Sequence, residues 1–237
     1  METGTTASPP SYSEALSHAA DDLLQPVILV LDNQSIYAES NPTVHLYEVN
    51  RSIASLGRAT LNVKFSRSAG STSQRSKHIY DLHHTPCLER APSTHSAEYF
   101  IEYIGASTRR LGSLGFRTVH GVPEDWTALP VDMKGWSDLL CPPFVADAAP
   151  VFEAHHREGV CKWTDGNGHD VAIEYDSDKQ HRLLVTASLR RDTLDALVAL
   201  WCCRLWQQSV NRQWPTLLTV YKGLFSFSWK DYMRALS

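Results

Sequence analysis

A chain of 237 residues with 43% hydrophobic and 20% charged side chains has the composition of a globular protein, not of a disordered one. The net charge of −4, with Arg109-Arg110 and Arg190-Arg191 isolated, argues against a nucleic-acid partner, which needs clustered Lys and Arg. The densest apolar run, Leu194 to Trp206, falls short of the about 20 residues a transmembrane helix requires.

Residues 1–25 are rich in Ser, Thr, Ala and Pro and read as a flexible tail. Met1 to His18 lacks a basic stretch followed by an apolar core, so the expected location is intracellular, cytoplasmic or peripheral to a membrane. Cys87, Cys141, Cys161, Cys202 and Cys203 are odd in number and irregularly spaced. In that setting they read as reduced thiols.

Ordered structure is expected from Pro26. The β-branched run Val27 to Leu31 reads as a strand, Asp32 to Ser35 as a turn, and Ser35 to Ala38 as the returning strand. Thr43 to Val49 follows. Leu61, Val63 and Phe65 alternate with Asn62, Lys64 and Ser66, a period of two with one buried face. Arg67 to Ser76 is loop composition, His78 to Leu82 a strand, His83 to Ala97 a loop with Pro86 and Pro92, and Glu98 to Ile104 a strand. Gly105 to Pro150 carries no clear period and predicts long ordered connections. Val160 to Thr164 and Asp170 to Asp176 form a hairpin across Asp165-Gly166-Asn167-Gly168, residues that tolerate the positive φ of a tight turn. Arg182 to Ser188 is a further strand.

The period then changes. Asp192 suits an N-cap, with Asp195 in the first turn, and the helix runs from 192 to about 210. Leu194, Ala196 to Cys203, Leu205 and Trp206 cover every face, interrupted by Asp195 and Arg204. A helix apolar all round must be surrounded by protein. The fold class that follows is mostly β (α+β): an antiparallel, closed or nearly closed β-barrel around a buried, very apolar C-terminal helix. Pro215 stops easy continuation, and Ser228 caps a short helix over 229–236. The organisation is a 1–25 tail and a single 26–237 barrel domain.

Short strands closed around one apolar helix resemble the tubby C-terminal-like, LURP-one-related β-barrels, most closely filamentous-fungal members of that group. The carrying segments are Val30-Leu31-Asp32-Asn33-Gln34-Ser35-Ile36-Tyr37, Lys77-His78-Ile79-Tyr80-Asp81-Leu82, and Arg182-Leu183-Leu184-Val185-Thr186-Ala187-Ser188 leading into Asp195 to Cys202. In those barrels the central helix lies close to the chain end; here the chain continues to Ser237. The resemblance implies a non-enzymatic scaffold. Tubby relatives bind phosphoinositides through basic pockets and others are membrane-associated scramblases, but neither set of binding residues maps onto positions here.

Pro9-Pro10-Ser11-Tyr12 matches the PPxY ligand of WW domains. Its prolines pre-set a polyproline II turn, which lowers the ordering cost, and the Tyr ring fills an aromatic groove. Such motifs recruit HECT-type ubiquitin ligases. A four-residue match in a Pro/Ser/Thr-rich tail also arises by chance.

Other chemistry is weaker. His83-His84 before Cys87, and His155-His156 before Cys161 with His169 beyond, offer zinc ligand types without a zinc-knuckle spacing. Adjacent histidines on a strand point to opposite faces, so surface or hairpin histidines are the reading and no metal is assigned. Ser113 lacks the flanking glycines of a nucleophile elbow, and Asp81, His78 and Glu98 show no spacing that pairs them. Cys202 and Cys203 point about 100° apart on a helix and read as core, as do Trp201 and Trp206, with indole N–H groups seeking acceptors. No catalytic residue and no cofactor is assigned. The expected role is a non-catalytic adaptor or regulatory protein offering Pro9, Pro10, Ser11 and Tyr12 to a WW-domain partner. The runner-up is a phosphoinositide or anionic-lipid surface binder, the third reading an enzyme of unrecognised chemistry.

Overall fold

The structure, a computed structural model, describes residues 23–68, 76–85, 95–105, 111–118, 125–134, 136, 141–177 and 180–224; for 118, 176, 177 and 213–224 it describes the backbone alone. The PPxY motif and the helix expected over 229–236 lie outside the described residues.

Among the described residues fourteen strands run β1 (Leu23–Leu24), β2 (Val27–Asp32), β3 (Ser35–Ala38), β4 (Asn41–Val49), β5 (Asn62–Arg67), β6 (Lys77–His84), β7 (Tyr99–Tyr103), β8 (Leu114–Thr118), β9 (Trp126–Pro130), β10 (Phe152–Arg157), β11 (Val160–Asp165), β12 (Asp170–Ser177), β13 (Gln180–Val185) and β14 (Leu189–Arg190), before the helix α1 (Arg191–Leu224). β2 to β13 pair with their sequence neighbours, all antiparallel, and β13 pairs back onto β2, from Val185 opposite Val27 to His181 opposite Leu31. The result is a closed up-and-down barrel of twelve strands among the described residues. Closure leaves the barrel itself, among the described residues, without a sheet edge to satisfy.

Where the turn chemistry was clear, the strands fall where expected. Asn33 takes φ 55° in the β2–β3 turn and Gly168 takes φ 82° in the β11–β12 turn. In the second turn the Asp165 carboxylate accepts the amides of Asn167 and His169, each at 2.9 Å. Val63 and Phe65 on β5 are fully buried, alternating with exposed Asn62 and Lys64, whereas Leu61, expected on the same buried face, lies before the strand and is exposed. Order extends further toward the N-terminus than Pro26, because Leu23 and Leu24 pair with Arg190 and Leu189.

β8, β9 and β10 had no sequence signature. β9 is buried on both faces from Trp126 to Leu129, so exposure does not alternate along it and even Thr127 is buried. β8 contains Gly115 for a steric reason. A Cβ there would lie 2.3 Å from Ala97 Cβ and 2.8 Å from Val131 Cγ1. Outside β7 and β8, Ala97, Phe100 and Val131 form a second small core with Met133, Trp136 and Phe144 against it. Bridges from Ser96 to Pro143 and from Val131 to Phe144 hold this layer on the wall. Gly115→Ala overpacks it and is expected to cost about 1–3 kcal/mol, read as a lower urea midpoint at unchanged slope; an unshifted midpoint would contradict the close approach.

α1 threads the barrel. Leu194 and every residue from Ala196 to Trp206 are at most 4% exposed, and their contacts reach strands all round the ring. Asp195 meets Tyr47 of β4 and Arg67 of β5. Cys203 meets the Phe100 carbonyl of β7, and Trp206 meets His84 of β6 and Tyr99 of β7. Arg204 meets Glu174 of β12 and lies over the Trp126 ring of β9. The helix starts at Arg191, one residue before the expected cap, and the Asp192 carboxylate accepts the Thr193 amide at 3.0 Å. Its backbone continues through Pro215 to Leu224, although enclosure ends near Val210, since Asn211 and Arg212 are exposed. The Ser209 hydroxyl donates to the Ala54 carbonyl at 3.0 Å, tying α1 to the 3₁₀ turn Ile53–Ser55 at that end of the barrel. No helix among the described residues is long and apolar enough to cross a membrane.

Candidate functional site

Side chains fill the lumen. Trp163, Trp201, Trp206, Tyr80, Phe65 and Phe152 are among the largest fully buried groups, and interiors pack at crystal density. The charged residues on the enclosed stretch of α1 are both answered by the wall. Asp195 accepts the Tyr47 hydroxyl at 3.0 Å and Arg67 Nη1 at 2.8 Å. Burial first, and then the Asp195 charge and hydrogen bond, push the Tyr47 phenol well above its ordinary range. Asp195 was expected to serve the first-turn amides; its carboxylate instead reaches the wall. Arg204 forms a two-pronged pair with Glu174, both side chains 1% exposed.

The expectation that Trp201 and Trp206 would find acceptors fails among the described residues, where neither indole N–H has one. Cys202 and Cys203 are fully buried, and burial raises both thiols far above their ordinary range. Thiols held protonated in this way are poor nucleophiles. Ser113 accepts the Tyr103 amide at 3.0 Å, so its oxygen serves the loop.

Polar chemistry gathers instead on the outside of the barrel. On β6 a register shift between Phe65 and Ser66 leaves Ile79 as the extra residue, with His78 opposite Ser66 and Tyr80 opposite Phe65. A bulge of this kind re-aims a side chain, and it brings His78 to the outer face beside Asp81 and His83. His78 Nε2 lies 3.0 Å from Asp81 Oδ1. His83 Nε2 lies 2.9 Å from Glu102 Oε2 on β7, whose backbone register sets Glu102 directly opposite Asp81. Ligand atoms of Asp81, His83 and Glu102 all lie within 4.8 Å of one another. The His83 ring stacks on Phe100 at 4.7 Å and meets Trp136 edge-on at 5.3 Å.

His84, next in sequence, turns inward, packs on Tyr99 at 4.5 Å and reaches Glu98 at 3.3 Å. The opposite facing of the two histidines follows the strand rule. The reading that left Asp81, His78 and Glu98 unpaired is corrected here: His78 joins Asp81 and Glu98 joins His84. Sequence inspection had a usable signal in Asp81-Leu82-His83, where i and i+2 share a strand face. Glu102 requires the register and had none.

A second cluster sits where β9 meets β10. Asp125, 5% exposed, accepts His155 Nδ1 at 3.1 Å, the His156 amide at 3.0 Å and both Arg157 guanidinium nitrogens at 3.0 Å. Burial raises its carboxyl, but these donors outweigh burial and hold it below the usual range. Every polar atom of that carboxylate is satisfied, so its work is joining two strands. As the reading that assigned no metal there requires, His155, His156, Cys161 and His169 are not brought together: His169 bonds Asp165 at 3.3 Å, and Cys161 is buried in the core. Elsewhere a shallow groove of about 410 Å³ runs along Pro26, Val27, Ile28, Glu39, Ser40 and Leu184. No family model, curated protein or solved structure matches this chain.

Proposed function

We infer that the chain is a non-catalytic adaptor barrel of the tubby C-terminal-like, LURP-one-related kind, which recruits a WW-domain partner, such as a HECT-type ubiquitin ligase, through Pro9-Pro10-Ser11-Tyr12. The observation that carries this reading is the occupied lumen. In a closed barrel the interior is the usual place for a small ligand. Here α1 fills it from Leu194 to Trp206 and is keyed to the wall by Asp195 and Arg204. Recognition then belongs to the outer wall, the rim and the tail.

The tail suits the task because a proline-rich ligand loses little entropy on docking. β1 pairs with β14 next to the start of α1, so the chain that carries the motif is anchored to the barrel domain from Leu23.

A recombinant WW domain of the PPxY-binding class is expected to retain the full chain on a column and to lose it on Tyr12→Ala. Equal retention of parent and variant overturns the recruitment. Flotation with vesicles containing anionic lipid gives the competing outcome. Binding that falls steeply with salt would assign the chain to lipid surfaces instead.

A further inference from the structure

We propose that Asp81, His83 and Glu102, on the outer face of β6 and β7, form a binding site for a divalent transition-metal cation, with Zn²⁺ the best chemical fit. This site is independent of the adaptor reading and needs neither the tail nor the lumen.

The donor set comes first. One imidazole with two carboxylates mixes the nitrogen donor that zinc favours with oxygen donors it accepts. Metal–ligand bonds of about 2.0–2.2 Å place donors roughly 3–3.6 Å apart. The cluster is already close to that, with His83 Nε2 and Glu102 Oε2 at 2.9 Å and the three ligand atoms within 4.8 Å of one another. Small rotations of the Asp81 and Glu102 carboxylates, whose side chains are 17% and 32% exposed, would supply the rest and leave a route for the ion.

Preorganisation comes second. The ligands stand on two strands paired continuously from Tyr80–Tyr103 to His84–Tyr99, a rigid platform. Phe100 and Trp136 clamp the His83 ring, so its Nε2 stays directed at the carboxylate. His78 holds Asp81 Oδ1 at 3.0 Å and leaves the other oxygen available, the supporting role that outer groups play at metal sites.

Charge comes third. Asp81 and Glu102 are direct cross-strand neighbours, a placement that destabilises a sheet when the two charges are alike. Lys64, across from Asp81 on β5, offsets part of this; a divalent cation between the carboxylates offsets it fully. Three protein ligands leave at least one coordination position for water or an external anion.

The test uses the full chain, stripped with chelator and titrated calorimetrically with Zn²⁺. One equivalent is expected to bind to the parent. Affinity should fall at least about 100-fold in His83→Gln, by about tenfold in His78→Gln, and stay unchanged in His155→Gln, which alters the other histidine–carboxylate cluster. Equal affinity in parent, His83→Gln and Asp81→Asn would overturn the site, as would an equal loss in His155→Gln. X-ray absorption of the parent at one equivalent needs no variant: a shell of oxygen and imidazole nitrogen supports the assignment, and sulfur in the shell refutes it.

Discussion

Glu174→Ala is expected to destabilise the protein by about 3–5 kcal/mol, the cost of removing one partner of a buried ion pair. Arg204 and Glu174 are each 1% exposed, deep in the lumen, and the guanidinium lies over the Trp126 ring, 5.2 Å from its centroid. Truncating the carboxylate strands a permanent cation where water cannot reach it. The matching variant pair separates the pair's net worth from the penalty for breaking it. Glu174→Leu with Arg204→Met removes both charges, and such replacements are commonly neutral or stabilising. The double variant should therefore recover most of the loss in urea titrations. If Glu174→Ala alone shifts stability by less than about 1 kcal/mol, the pair is not enclosed and the helix does not lie where its burial places it.

The arrangement of these charges explains how an apolar helix keeps one orientation inside a barrel. Leu, Val, Ala and Trp at neighbouring positions pack in many rotations about the helix axis, since hydrophobic burial is non-directional. Hydrogen-bonded ions are not interchangeable in this way. Asp195 reaches β4 and β5 near the helix start, and Arg204 reaches β12 two and a half turns later. Two fixed points at different heights and on different sides set both the rotation and the depth of α1. The cost of burying them is the cost of a unique register, a role for which buried polar groups are well suited.

Much of this architecture was legible in the chain because its physical cause is local. Asn62 to Ser66 declares its strand through period two, and Asp165 to Gly168 declares its hairpin through residues that accept positive φ. The helix from Leu194 declares its enclosure through the lack of a polar face, and enclosure by strands followed from that alone. What was not legible depends on distant partners. Gly115 looks like a strand breaker until Ala97 and Val131 occupy the space its side chain would need. Trp126 to Leu129 shows no alternation because both faces of the strand are buried, which only the tertiary packing decides. His155, His156 and Arg157 hide the apolar period of β10, and the Asp125 that holds His155 and Arg157 is brought near only by strand pairing. Asp195 and Arg204 were visible as interruptions, but their partners Arg67 and Glu174 stand on strands that only barrel closure brings near. The cluster at Asp81 divides in the same way: Asp81 and His83 share a face by spacing, and Glu102 joins them by register.

Trp206→Ala tests the same enclosure through packing instead of charge, and is expected to cost about 3–5 kcal/mol. The indole is fully buried, edge-on to His84 at 5.6 Å and to Tyr99 at 5.8 Å, two rings that themselves stack at 4.5 Å. Removing it opens a void under β6 and β7 that these rigid strands cannot close, so the loss combines transfer energy with a cavity term. At roughly 2–4 °C per kcal/mol for a domain of this size, the thermal midpoint should fall by about 6–20 °C. Trp206→Phe keeps most of the apolar volume and should lose markedly less. A helix lying on the barrel's exterior would respond differently, because an exposed tryptophan on one flank can be truncated for about 0.5 kcal/mol or less. Trp206→Ala also separates the two faces of the wall. His83 points away from Trp206, so Trp206→Ala in its folded state should leave Zn²⁺ affinity unchanged while stability drops, and a parallel loss of both would mean that β6 itself had moved.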